Sequence, residues 1–265
     1  MSIEGNARED LRRAVELLEN PGFISRITDF VGQPVEKFIN FLPAQASDSI
    51  QAAVQATLKK LLSISVTTMD KTFGGPASTL THKIASGVSG AVGGAFGLPA
   101  LAVELPVSTS IILRSIADIA RSEGEDITTL PARLACLEVF ALGSRSAADD
   151  GAETGYYAVR AALAKAVGAA AKHIAQKGLS EKGAPVIARF LAQIASRFSA
   201  VVSEKVAAQA VPVIGALGGA TVNLLFVDHF QDVARGHFII RRLERIYGQE
   251  EVRNAYAKIR SGEGI

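Results

Sequence analysis

The chain has 265 residues, enough for a substantial core, and its 28 basic against 26 acidic residues leave a formal net charge of +2, which excludes a nucleic-acid binder relying on a broad basic surface. With 43 alanines, 24 glycines, no tryptophan and 6% aromatics, the interior has to be packed from small and aliphatic side chains. A mean hydropathy of +0.25 with 20% charged residues excludes a disordered chain and raises the question of membrane contact.

Asn6 stands where a helix N-cap belongs, with Glu9 three residues on and Ala7, Leu11, Ala14, Val15 and Leu18 at helical spacing before Asn20-Pro21-Gly22. Pro34 and Pro43 punctuate the following stretch. Ser47 and Asp48 are cap candidates for a long helix carrying Ile50, Val54, Leu58, Leu61 and Leu62 to about Thr68. Residues 84–103 form a charge-free run in which Gly90/Gly94 and Gly93/Gly97 make overlapping GxxxG spacings, suited to close helix contact. Pro99 interrupts the run, and Glu104-Leu105-Pro106 ends it. Pro106 suits the first position of a new helix with Ile111, Ile112, Ile116, Ile119 and Ala120 as its stripe, stopped at Glu123-Gly124.

A helix over residues 131–142 is ended by Gly143, and the polar stretch to Gly155 reads as the main surface loop. Helices are expected over 156–177 and from 185 to about 210. A second charge-free run, residues 206–227, is interrupted by Pro212. The end, 228–259, reads as amphipathic helix with a break near Gly248, and no strand alternation is found. The fold expected is all-α, one compact multi-helix domain over 1–265, with two central glycine-rich, apolar helices.

Both charge-free runs reach the roughly 20 residues that a spanning helix needs. Buried core helices are the preferred reading, with a membrane hairpin and a peripheral or switchable state as alternatives. Phe226, Phe230, Val233 and Phe238, followed by Arg235, Arg241, Arg242 and Arg245, describe either a helix lying on an anionic bilayer or, preferably, a helix packed on the core with a solvated arginine face. The N-terminus has no basic and apolar region of a secretory signal, so the expected location is the cytoplasm, with attachment to the inner face of the membrane as the variant. The lone Cys136, between Ala135 and Leu137, reads as a buried thiol.

Sequence motifs point to no reaction. His82, His173, His229 and His237 form no metal-binding spacing, no cofactor motif is present, and Gly87-Val88-Ser89-Gly90-Ala91 lacks the last glycine of a nucleophile elbow. Polar residues in apolar surroundings remain: Glu104, Arg114, Asp118, Glu138, Asn223, Asp228 and His229. Arg114 and Asp118 suit a local ion pair, four residues apart. Glu104 needs a partner from elsewhere, and a buried network with Arg114 or Asn223 is preferred to a catalytic carboxylate. Ser144, Arg145 and Asp149 read as a solvated loop or as contacts to a polar ligand at a pocket mouth.

Gly93-Gly94-Ala95-Phe96-Gly97-Leu98-Pro99, Glu104-Leu105-Pro106 and Leu113-Arg114-Ser115-Ile116-Ala117-Asp118-Ile119-Ala120 with Gly124-Glu125-Asp126 resemble the central signature of the bacterial EcsC family. Gly155-Tyr156-Tyr157-Ala158-Val159-Arg160, Val211-Pro212-Val213-Ile214-Gly215-Ala216 through Asn223, and Arg242-Leu243-Glu244 with Tyr247-Gly248 are similar to its C-terminal pattern. The resemblance places Glu104, Arg114 and Asn223 within family motifs and carries over no catalytic residue. The family takes its name from a gene neighbour of an ABC transporter, so the resemblance implies an accessory role in transport.

These features give three expectations. The first is a cytoplasmic or membrane-peripheral protein binding a hydrophobic or lipid-like ligand, or the membrane surface, with Glu104, Arg114, Asn223, Ser144 and Arg145 as candidate ligand-binding residues. The second is an interaction module for a membrane transporter. The third, least favoured, is a hydrolase using Glu104 or the loop from Ser144 to Asp149. No cofactor, metal or nucleic acid is expected.

Overall fold

The structure is a computed structural model that describes residues 3–19, 22–31, 44–67, 98–144, 155–179, 184–209 and 219–262. Among the described residues every regular element is a helix, as expected for an all-α fold. The helices are α1 (Asn6–Glu19), α2 (Phe23–Val31), α3 (Ala44–Thr67), α4 (Leu98–Ser122), α5 (Leu130–Leu142), α6 (Tyr156–Lys177), α7 (Ala184–Gln209), α8 (Gly219–Tyr247) and α9 (Gln249–Ser261).

Helix α8 is the centre of the packing, meeting α1, α2, α4, α5, α7 and α9, while α3 packs on α4 and α7 and α6 on α5 and α7. Its apolar face, Phe226, Phe230, Val233 and Phe238, is buried, with Phe226 and Phe230 inside a ring cluster that includes Phe23, Phe140 and Phe198. Protein therefore covers the face that an interfacial helix would offer to a bilayer. Helix α1 reaches α8 at Gly236, where an added Cβ would stand 2.6 Å from Leu18 Cγ and 3.2 Å from the Ala14 carbonyl, so a hydrogen is required there.

Several boundaries differ from the sequence expectations. The cap of α1 lies one residue earlier, since the Gly5 carbonyl receives the N–H groups of Arg8 and Glu9 at 3.1 and 3.2 Å. Ser47 and Asp48 lie inside α3, which starts at Ala44. Helix α2 was not anticipated; Phe23 and Ile27, one turn apart, are buried against the core and give it a docking face.

Pro106 does not start a helix. It lies inside α4, which continues through it from Leu98 to Ser122. Proline removes one backbone donor, but Leu101, Leu105, Ile112 and Leu113 on both sides are buried in one core, and that burial favours a continuous helix. Hydroxyls of the next turn bind back: Ser108 Oγ and Thr109 Oγ1 donate to the Leu105 carbonyl at 3.3 and 2.5 Å, and Ser110 Oγ donates to Pro106 O at 2.6 Å. The break expected near Gly248 is observed, with φ of +91° in the region that favours glycine.

Residues 84–97 and 210–218, which hold most of the glycine-rich first run and the middle of the second, lie outside the described residues, as do Asn20, Pro21, Pro34, Pro43, Arg145 and Asp149. By length and composition, one segment among the described residues could cross a membrane, Pro185–Gln209 in α7.

Candidate functional site

Glu104 faces inward from α4 and meets Lys205 near the end of α7. Lys205 Nζ donates to Glu104 Oε1 at 2.8 Å and to Oε2 at 3.0 Å. Lys205 is completely buried and Glu104 nearly so. The ammonium also stands 4.5 Å from the ring centroid of Phe226 on α8, so three helices share the pair. Burial holds Lys205 below the usual lysine range, with the Glu104 carboxylate opposing that shift.

The partner of Glu104 is thus Lys205, neither Arg114 nor Asn223 as the sequence suggested. Arg114 is exposed and makes no ion pair or hydrogen bond among the described residues. Nor does it pair with Asp118, which lies 3.7 Å from Arg121 instead. Asn223 is fully buried one turn before Phe226. Lys205 escaped notice because it follows Ser203-Glu204 like an ordinary surface lysine and lies 101 residues from its partner. One signal was available: Glu104 directly follows the first charge-free run, and Lys205 directly precedes the second.

Ser144 belongs to a different neighbourhood. It is buried at the end of α5, with its carbonyl accepting from Arg197 Nη1 at 3.3 Å. Beside it the Gly143 carbonyl accepts from His229 Nε2 at 2.7 Å, and burial pushes His229 down to about 4, so the ring is neutral near pH 7.

A second buried polar group lies where α5, α6 and α8 meet. The Tyr156 hydroxyl is 2.8 Å from His237 Nδ1, and Arg160 grips Glu244 with both terminal nitrogens at 2.8 and 2.7 Å. Burial raises Glu138 to about 7 against the opposing charges of Arg241 and Arg160. Burial lowers His237 well below the usual histidine range, and Arg160 and Arg241 act in the same direction. Burial also pushes the Cys136 thiol up to about 12, which removes it as a nucleophile.

Among the described residues no group of three or more His, Cys, Asp or Glu is placed to hold a metal ion. Surface clefts of about 390 and 460 Å³ flank α9, one beside Tyr157, Arg160 and Arg253 and the other beside Arg8, Asn254 and Lys258. Neither is lined by Glu104, Arg114, Asn223 or Ser144. The arrangement around Glu104 ties α4 to α7 through a two-pronged contact buried in apolar surroundings.

No curated protein and no solved structure is detectably similar to this chain. A match to the EcsC protein family covers residues 7–243, from the second residue of α1 to near the end of α8 and including the Glu104–Lys205 pair, and the chain belongs to that family.

Proposed function

We propose that this is a membrane-peripheral helical protein whose apolar end, marked by Glu104 and Lys205, engages a hydrophobic or lipid-like ligand or the bilayer itself. One observation supports the reading above others: the buried ion pair joins the borders of the two charge-free runs. From residue 84 to residue 113 the only ionisable side chain is Glu104, and from 206 to 227 there is none. Pairing Glu104 with Lys205 therefore cancels the one charge in the first stretch and the charge bordering the second. Long uncharged segments that start from one anchored point suit contact with apolar material, since no desolvated charge opposes it.

Native mass spectrometry of the purified protein and flotation with vesicles of mixed neutral and anionic phospholipid test the reading together. A co-purifying apolar molecule or co-flotation is the expected result. A ligand-free protein that remains entirely at the bottom of the gradient overturns it.

A further inference from the structure

Resting on that reading, we propose that the surface engaged is an anionic phospholipid bilayer, met by one stripe of α4 in which Val103 and Val107 enter the interfacial layer and Arg114 binds lipid phosphate. Offsets of four and eleven residues at about 100° each place Val107 and Arg114 within roughly 40° of Val103 around the helix. Val103 is 71% exposed and Val107 44%, two of the four large hydrophobic side chains exposed among the described residues. Among the described residues this valine pair, one turn apart on a helix otherwise built into the core, is left uncovered.

Charge selects the occupant. Arg114 is exposed and unpaired among the described residues. Lys205 neutralises Glu104, and Asp118, the next acid along the helix, lies beside Arg121 at 3.7 Å. The stripe thus offers apolar surface and then a cation, with the two acids of α4 each beside a basic residue. A helix lying along the bilayer surface presents all three side chains to it, the short valines at the acyl boundary and the arginine on a long stem. The stem lets the guanidinium reach up to the phosphates while the valines stay in the acyl boundary.

The test uses the full chain and vesicles of phosphatidylcholine with or without 30 mol% phosphatidylglycerol, the lipid composition being a choice of probe. Wild type is expected to float with the anionic vesicles more strongly than with the neutral ones. Arg114→Gln is expected to weaken anionic-vesicle binding about fivefold, the equivalent of roughly 1 kcal/mol per basic residue at a charged surface, and to leave neutral-vesicle binding unchanged. Val103→Ser with Val107→Ser should weaken both by at least tenfold. Since the chain has no tryptophan, Val107→Trp supplies a single fluorophore, whose emission should shift to the blue on anionic vesicles even if the serine variant folds poorly. Wild-type flotation unaffected by any of these substitutions, with no shift for the tryptophan, overturns the α4 stripe while leaving the apolar-end reading intact. A co-purified ligand without flotation has the same meaning. Neither ligand nor flotation overturns both.

Discussion

The two ends of the α4–α8 pair handle charge in opposite ways. The helices run in the same direction, since Ser115 bonds Gln231 while Glu123 and Glu125, just beyond α4, bond Arg242 and Arg241. At the starting end lies the Glu104–Lys205 ion pair, sealed from water among apolar side chains. At the finishing end, Arg241 and Arg245 share Glu125, and Arg242 bridges Glu123 and Asp10, in a partly exposed network. The contrast is one of exposure: the wet end carries a partly exposed network, and the apolar end carries a pair buried among apolar side chains. Glu125 shows the difference in its titration, for although burial raises its pKa, the hydrogen bonds and charges of Arg241 and Arg245 bring it below the usual carboxylate range.

The strongest test of that contrast is Glu104→Gln. It leaves the Lys205 ammonium buried without its counter-ion, and a loss of about 3 to 5 kcal/mol in urea denaturation is expected. Replacing both members, Glu104→Gln with Lys205→Met, should recover most of the loss, because an uncompensated charge costs more than the pair contributes. A single substitution costing less than about 1 kcal/mol would mean that water reaches the pair, and the sealed end would be no different from the wet one.

The next effect in size depends on pH and lies between the ends. Glu138 titrates near 7 in the folded chain against a reference of 4.5, so the native state holds the extra proton between those values. Stability from this group is complete below about 4.5 and falls as pH rises through 7, the opposite of a salt-bridged carboxylate. Glu138→Gln removes the titration. Relative to wild type it should gain about 3 kcal/mol between pH 4 and pH 8.5, read as the difference in unfolding free energy. A flat difference would show that Arg160 and Arg241 fully offset the burial of the carboxylate.

How far these features could be read from sequence depended on whether they were local. Helix α6 was legible to the residue because Gly155 and Gly178 flank a periodic alanine-rich stretch, and the α8–α9 break was legible because glycine readily adopts the observed φ. Pro106 misled, since the local rule against interior proline was outweighed by core burial on both sides, a tertiary effect. Helix α2 was missed because nine residues give too short a pattern to stand out, and its helicity depends on docking Phe23 and Ile27. Within the candidate site, Glu104 was singled out correctly as needing a distant partner. The partner was not legible: any of several basic residues satisfies the charge, and only three-helix packing places Lys205 there.

The smallest effect tests the wet end. Arg242 and both of its partners are substantially exposed, with side-chain exposures of 31% for the arginine, 37% for Asp10 and 21% for Glu123. Solvent screens such pairs, so Arg242→Gln should cost about 0.5 kcal/mol at low salt and less at 0.5 M sodium chloride, where the Debye length falls to roughly 4 Å. The penalty for Glu104→Gln, by contrast, arises from desolvation in a place that counter-ions do not reach, and the same salt should leave most of it in place. Measured together in urea at both ionic strengths, the two substitutions separate a screened network from a sealed pair, and equal salt sensitivity at both ends would remove the physical distinction between them.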